Sequence, residues 1–366
     1  MACRILVVVG TRPEAVKLAP VVHALRREAW ANCRVLAVAQ HRELLDRTLA
    51  FFGIVPDADL DLMRPGQGLA DLTARAIAAI DPVLVEEEPD LVIAQGDTTT
   101  VLVAALCAFY RAIRFAHVEA GLRTGDLAQP FPEEGNRSLV ARLARWHFAP
   151  TPAAAANLRR EGIDDARIHV VGNTAIDALL WASPRVDAGA WAARPGSRLL
   201  LVTAHRRESL GAPLGELCQA LASLANRPDV EILFPVHPNP RVRATVERLL
   251  AGRPRIRLCD PLDYPEMVAA MQASALILTD SGGVQEEAPS LGKPVLVLRD
   301  VTERHEAVEA GAARLVGMRR DDIVGAASQL LDDPAAYEAM ARVRNPFGRG
   351  DSARAIVDVL HRTLEP

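Results

Sequence analysis

The sequence predicts an α/β protein built from two doubly wound parallel sheets, and three observations carry that reading. Short β-branched runs alternate with longer stretches of helical periodicity, the pattern of parallel strands covered by helices. The alternation occurs twice, with a second series of similar size starting after about residue 172. At 366 residues the chain is long enough for two domains, each with its own core.

Taken in order, residues 5–9, 35–39, 91–94 and 115–118 read as buried strands, and 14–28, 69–87 and 98–110 as the helices between them. Pro20 conflicts with one straight helix over 14–28, so a kink or a late helical start is expected there. Residues 183–197, with Pro184, Gly189, Pro195 and Gly196, form an irregular lead into the second series. That series reads as strands at 199–203, 231–235, 256–258, 276–279 and 295–298, again with helices between.

Composition narrows the function classes. Half the residues are apolar, 24% are charged and the net charge is only −4, which argues against disorder and against a dedicated polyanion or nucleic-acid binder. Five widely spaced cysteines without a C-x-x-C pair indicate neither a disulfide frame nor a zinc site. No run approaches the ~20 apolar residues that span a bilayer, and the first apolar run stops at Gly10, too short for a secretory signal. The expected location is the cytoplasm, with no membrane partner. Of 42 Lys+Arg residues only Lys17 and Lys293 are lysine.

In open α/β sheets ligands bind beyond the carboxyl ends of strands, so chemistry is sought at strand-to-loop junctions. The first is Gly10-Thr11-Arg12-Pro13-Glu14-Ala15-Val16-Lys17. Thr11 and Glu14 have capping-box spacing, while Arg12 and Lys17 put two cations beside a helix start, where a phosphate or another anion would be held. For Lys17 a compact ammonium can meet either a carboxylate or a phosphate. In the second junction, Gln95-Gly96-Asp97-Thr98-Thr99-Thr100, Asp97 reads as a helix N-cap or as a catalytic carboxylate.

The third junction places Glu119 at a strand end, followed by Gly121-Leu122-Arg123-Thr124-Gly125-Asp126 and then Pro132-Glu133-Glu134-Gly135-Asn136-Arg137. Glu133 and Glu134 read either as an acidic helix start or as members of an acid and base pair. Fourth, His205-Arg206-Arg207 after the strand at 199–203 makes a cationic, phosphate-ready corner. Fifth, Asp280-Ser281-Gly282-Gly283 opens a helix whose amides can approach a diphosphate, with Glu287 about a turn later able to accept from ribose hydroxyls. No G-x-x-x-x-G-K-[ST], no G-x-G-x-x-G after the first strand, no H-E-x-x-H and no G-x-S-x-G is present, so an NTPase and an ordinary NAD enzyme are disfavoured.

Together, residues 10–17, 96–100, 117–126, 132–137, 205–209 and 280–293 resemble the non-hydrolysing UDP-N-acetylglucosamine 2-epimerases. Gly172-Asn173-Thr174, Val236-His237-Pro238-Asn239-Pro240 and Thr302-Glu303-Arg304 extend the likeness over nearly the whole chain. The resemblance implies the GT-B type: two Rossmann-like domains facing a central cleft, residues 1–171 plus 350–366 carrying the catalytic carboxylates and 172–349 binding UDP. A C-terminal helix at 352–364 would cross back to the first domain. It also implies interconversion of UDP-GlcNAc and UDP-ManNAc, commonly by homodimers, with no NAD, other cofactor or essential metal.

By position-matching, Asp97, Glu119, Glu133 and His205 would be catalytic. Arg12, Lys17, Ser281, Gly282, Gly283 and Glu287 would bind substrate. Some bacterial members carry a second UDP-GlcNAc as activator, and the matching positions are Gln40, Gln67, Glu134, Arg207 and His237. One departure is His305, where the family usually continues with Pro after Thr302-Glu303-Arg304.

The implied chemistry explains the residue types. The sugar C2 proton has no neighbouring carbonyl, so a base cannot simply remove and return it. Expulsion of UDP from C1 through an oxocarbenium-like state makes it removable, giving 2-acetamidoglucal, to which UDP adds back as C2 is protonated on the other face. Two sets of carboxylates, a cationic cradle for UDP and exclusion of water are required. Glu119 is preferred for removal because Asp97 is expected to be committed to capping. The alternatives are a hydrolysing epimerase releasing ManNAc and UDP, a retaining GT-B glycosyltransferase, and a UDP-sugar sensor without turnover.

Overall fold

Alternation of strand and helix persists along the chain in the computed structural model, which describes residues 2–38, 42–62, 64, 66–205 and 211–364. The elements of the first series are β1 (Cys3–Val9), α1 (Arg12–Leu25), β2 (Ala31–Ala37), α2 (Arg42–Phe51), β3 (Ala58–Asp59), α3 (Leu69–Glu87), β4 (Leu91–Gln95) and α4 (Thr99–Tyr110). They continue with β5 (Arg114–Val118), α5 (Glu133–Leu143), β6 (Trp146–Ala149), α6 (Pro152–Arg160), β7 (Ile168–Val170) and α7 (Thr174–Ala182). The second series comprises β8 (Arg198–Thr203), α8 (Ala212–Leu224), β9 (Val230–Pro235), α9 (Pro240–Leu250), β10 (Ile256–Cys259), α10 (Tyr264–Ala273) and β11 (Leu276–Thr279). It ends with α11 (Gly282–Glu287), β12 (Val295–Val297), α12 (His305–Glu309), β13 (Ala313–Leu315), α13 (Arg320–Asp332), α14 (Pro334–Ala341) and α15 (Ser352–Leu364).

The chain divides into two units, Met1–Ala178 with Gly348–Pro366, and Leu179–Phe347. In the first, seven parallel strands run in the order β3-β2-β1-β4-β5-β6-β7. Leu6, Val8, Leu36, Val92 and Phe115 are buried between the sheet and the helices α3, α4 and α5. Strands covered on both faces need continuous apolar runs rather than alternating ones, which is why Ile5 to Val9 stood out in the sequence. The strand order reverses direction between β1 and β4, so the loops leaving these two strands diverge and open a crevice.

Of the two outcomes expected at Pro20, a kink or a late start, helix α1 excludes the late start. It starts at Arg12 and continues through Pro20 to Leu25. An interior proline costs about 3 kcal/mol through its missing N–H. Leu18, Val21, Val22 and Leu25 are all buried on this helix, at about 1.5–3 kcal/mol each, and that outweighs the loss. Strands β6, β7 and β13 were not read from the sequence: Trp146-His147-Phe148-Ala149 contains no β-branched residue, and a charged or imidazole side chain interrupts the three-residue Ile168-His169-Val170 and Ala313-Arg314-Leu315.

Helix α15 packs on α1 within the first unit. Asp177 accepts from the amides of Ser352 (3.3 Å) and Ala353 (2.9 Å), capping the helix start. Trp30 stacks on His361 at 4.9 Å, and Trp146 Nε1 donates to Thr363 Oγ1 at 2.9 Å. Residues distant in sequence thereby return to the sheet that the chain began with.

The second unit is a six-stranded parallel sheet ordered β10-β9-β8-β11-β12-β13, with its own reversal between β8 and β11. Leu200, Val202, Ile232, Phe234, Leu276 and Leu278 form its core with α8, α9 and α13. The irregular lead-in contains two 3-10 turns, Ser183–Arg185 and Ala188–Trp191. Among the described residues no helix is long and apolar enough to cross a membrane.

Candidate active site

In the first unit the site is assembled where β1, β4 and β5 end. After β1, Gly10 packs so closely on the first turn of α4 that a Cβ there would lie 2.5 Å from Thr100 Oγ1. Thr11 is the N-cap of α1 and Glu14 sits at its N3 position. Glu14 is buried, and its Oε2 accepts from the amides of Gly10 (2.5 Å) and Thr11 (3.2 Å) while Oε1 accepts from Thr98 Oγ1 (2.7 Å). Burial pushes this carboxyl up to about 7 against the pull of its donors.

Arg12, at the first position of α1, is half-buried and makes no hydrogen bond or ion pair among the described residues. Lys17, one turn further, donates to Glu119 Oε1 at 2.6 Å. Of the two anions that the sequence allowed for Lys17, the structure supplies the carboxylate. Glu119 also accepts from Gln95 Nε2, so donors from α1 and β4 fix both of its oxygens. Its backbone lies in the left-handed region at φ 62°, a strained choice for a side chain with a Cβ and one typical of functional positions. Gly121 follows at φ 91°, where a Cβ would lie 2.3 Å from the Ala154 carbonyl oxygen, so no other residue fits beneath the turn.

Asp97 does not cap α4, contrary to the sequence expectation. The cap is Thr98, whose hydroxyl accepts from the Val101 amide at 3.4 Å. The Asp97 carboxylate instead takes a 2.5 Å hydrogen bond from Arg137 on α5. Its loop is clamped twice more, from α5 and from β5: Asn136 Nδ2 donates to the Asp97 carbonyl at 2.8 Å, and His117 Nε2 lies 2.7 Å from the Gly96 carbonyl. Burial pushes His117 down to about 4, so the ring is neutral at neutral pH and Nε2 carries the donated proton.

Of the two acids opening α5, Glu133 is half-buried and makes no hydrogen bond or ion pair among the described residues. Glu134 is buried and accepts from the Thr124 (3.1 Å) and Gly125 (3.0 Å) amides, with Arg137 at 3.4 Å. It tethers the long loop after β5. Gln67, just before α3, accepts from the Arg64 amide at 3.1 Å and from Arg75.

In the second unit the crevice between β8 and β11 carries a different set. The paired strands end on Thr203 and Thr279, whose hydroxyls meet at 2.5 Å, and this register brings the next residues together. Asp280 is fully buried and accepts from the His205 amide at 2.8 Å, with His205 Nδ1 at 3.0 Å. The backbone bond fixes the turn that carries His205, and the Asp280 carboxylate lies beside Nδ1 on the side of the ring away from Nε2.

Ser281, Gly282 and Gly283 open α11, where no side chain caps the helix. Arg304, donating to Glu286, packs over Gly282, and a Cβ there would lie 3.1 Å from its guanidinium carbon. Glu287 is buried at the end of α11 near Tyr264, whose hydroxyl is pushed well above its ordinary value by burial and further by the Glu287 charge. His237 is exposed just after β9, its Nδ1 accepting from the Asn239 amide at 3.2 Å. Gln40 and Arg207 lie outside the described residues.

Sequence reasoning thus found the carboxylates and missed what holds them. Gln95, Arg137 and Asp280 were visible inside the motifs, but their partners lie 24 to 75 residues away, beyond any local pattern.

A family model described as UDP-N-acetylglucosamine 2-epimerase matches residues 23–361. The UDP-N-acetylglucosamine 2-epimerase of Escherichia coli (strain K12) is 50% identical over 98% of both chains. A crystal structure of UDP-GlcNAc 2-epimerase from Neisseria meningitidis bound to UDP-GlcNAc superposes with a TM-score of 0.91 at 42% identity, covering 98% of this chain and all of that one. The Methanocaldococcus jannaschii enzyme in complex with UDP-GlcNAc and UDP gives 0.81 at 33% identity, over 98% and 99% of the two chains.

Proposed function

The chain belongs to the UDP-N-acetylglucosamine 2-epimerase family of isomerases, and from that premise we propose that it interconverts UDP-GlcNAc and UDP-ManNAc without releasing free sugar. The observation that carries the reading is Glu119, a strained carboxylate held on both oxygens by Lys17 and Gln95 at the end of a central strand. A protein that only sensed a UDP-sugar would have no use for backbone strain at that position.

The chemistry proceeds by loss of UDP from C1, removal of the C2 proton to give 2-acetamidoglucal, and re-addition of UDP with protonation from the opposite face. Glu119 removes the proton. The capping argument for that preference falls with the Thr98 cap, and its place is taken by geometry: two fixed donors decide which lone pairs of Glu119 face outward. Glu133, half-buried and with no hydrogen bond or ion pair among the described residues, returns a proton to C2. Asp97, paired to Arg137, contributes charge opposite the oxocarbenium-like state.

In the second unit departing UDP is held by His205, beside Asp280, and by the amides of Ser281, Gly282 and Gly283, with Glu287 on the ribose; in the first, Arg12 is assigned to substrate binding. Incubation with UDP-GlcNAc in D2O, followed by proton NMR, tests the proposal. UDP-ManNAc with deuterium at C2 in both epimers is expected. Free ManNAc as the main product would assign the hydrolysing reaction instead, and tight binding with an unchanged spectrum would assign a sensor.

A further inference from the structure

A capping box needs only that the N3 acid reach back to the N-cap amide. Glu14 does more. Its Oε2 collects the Gly10 amide as well as that of Thr11, and its Oε1 crosses to Thr98, 84 residues away on the loop that leaves β4. One carboxyl therefore joins the two loops that diverge from the crevice of the first sheet. Arg12 follows Thr11 on one side, and Asp97 precedes Thr98 on the other. Lys17, three residues along the same helix, holds Glu119. The amides at the start of a helix are the ordinary seat of an anion, and here two of the groups at that seat are taken by the protein's own side chain. Burying a carboxyl is costly, and a surface Ser or Thr caps a helix equally well, so a purely local cap does not account for its position.

We propose that Glu14 is a positioning residue that sets Asp97 against the turn carrying Arg12 and Lys17, acting through Thr98. The inference rests on the reading of Asp97 and Glu119 as participants in the C2 reaction. It implies that the bridge, rather than the charge, is what matters. Gln keeps a carbonyl for the Gly10 and Thr11 amides and can donate its Nε2–H to the Thr98 hydroxyl, so it preserves the bridge without the charge. Ser preserves it at position 98.

The test is a double-mutant cycle on full-length protein, with kcat, KM and C2 deuterium exchange measured for UDP-GlcNAc and UDP affinity measured by calorimetry. Glu14→Ala and Thr98→Val are each expected to lower kcat by about 10- to 100-fold with KM and UDP affinity changed less than about threefold, the size of a misplacement near 1 Å. The double variant is expected to be no worse than the poorer single, because both break one bridge. Glu14→Gln and Thr98→Ser are expected within about tenfold of wild type, and they keep the test valid if an alanine variant fails to fold. Additive losses, or Glu14→Gln as impaired in kcat as Glu14→Ala, would overturn the proposal. A wild-type enzyme that exchanges no deuterium at C2 defeats the reaction itself, an outcome separate from either.

Discussion

The two sheets share a strand order and treat its reversal point in opposite ways. In the first unit nearly every charge at the crevice is answered from within: Lys17 by Glu119, Arg137 by Asp97, the amides at the start of α1 by Glu14, and the amides of the loop after β5 by Glu134. In the second unit one buried acid, Asp280, holds the backbone of His205, and the helix that follows β11 begins without a side-chain cap. The same topology thus serves two ends. Internal pairing fixes the first-unit carboxylates in place, as the proton transfer proposed for them requires. Donors left uncapped suit a ligand that brings its own negative charge.

The largest effect that should expose this division is Glu119→Gln. Loss of the proton acceptor is expected to cut C2 exchange by about 10³- to 10⁴-fold while UDP affinity stays near that of wild type. Glu133→Gln should fall in the same class for exchange. Normal exchange in both variants would break the assignment of chemistry to the first unit. Next is Lys17→Arg. The 2.6 Å contact is made by a compact ammonium whose side chain is only 14% exposed, and a planar guanidinium cannot occupy the same slot without displacing Glu119. A fall in kcat of about 10²-fold, with UDP affinity nearly unchanged, is expected from steady-state kinetics and calorimetry. A loss confined to UDP affinity would instead make Lys17 a phosphate ligand.

How much of this was legible in the sequence depends on how far each partner lies along the chain. The α/β class, the two series and the junction residues were readable because strand runs and turn signals are local. The role of Asp97 was not. Asp97-Thr98-Thr99-Thr100 offers four residues of helix-start character in a row, and the choice of Thr98 as cap follows from Arg137, 40 residues on, drawing Asp97 away. At Pro20 local chemistry allowed a late helical start, and burial of its neighbours lets the helix begin at Arg12 and run through the proline instead. Lys293 shows the limit from the other side. It is a half-buried lysine before β12 whose amine burial pushes below its ordinary value, and nothing in the structure explains why it is not an arginine.

A third effect tests whether the internal pairing of the first unit has a cost of its own. Burial raises Glu14 from an ordinary 4.5 to about 7, so the folded chain holds a proton that the unfolded chain has released in between. A raised folded value means stability that is fullest below about 4.5 and is lost as pH rises through 7. Gln does not titrate. The stability of wild type relative to Glu14→Gln should therefore decline over that interval by on the order of 3 kcal/mol, read from unfolding curves at a series of pH values. A flat difference would mean that the three donors hold the buried carboxylate as well as water does.

The smallest effect is expected in the second unit, at Asp280→Asn. The two side chains have the same shape, and the His205 amide can keep an acceptor in the asparagine carbonyl. What changes is the charge beside Nδ1. The carboxylate puts a negative charge 3.0 Å from Nδ1, and the asparagine amide puts none there. Losing that charge beside a half-exposed ring should weaken UDP affinity by about tenfold. Exchange at C2, measured with the enzyme saturated by substrate, should fall less than that, because no first-unit carboxylate has moved. If instead saturated exchange collapses while UDP affinity holds, His205 takes part in bond breaking as well as in holding UDP. The contrast between the two crevices would then be one of how each group is oriented rather than of chemistry against binding.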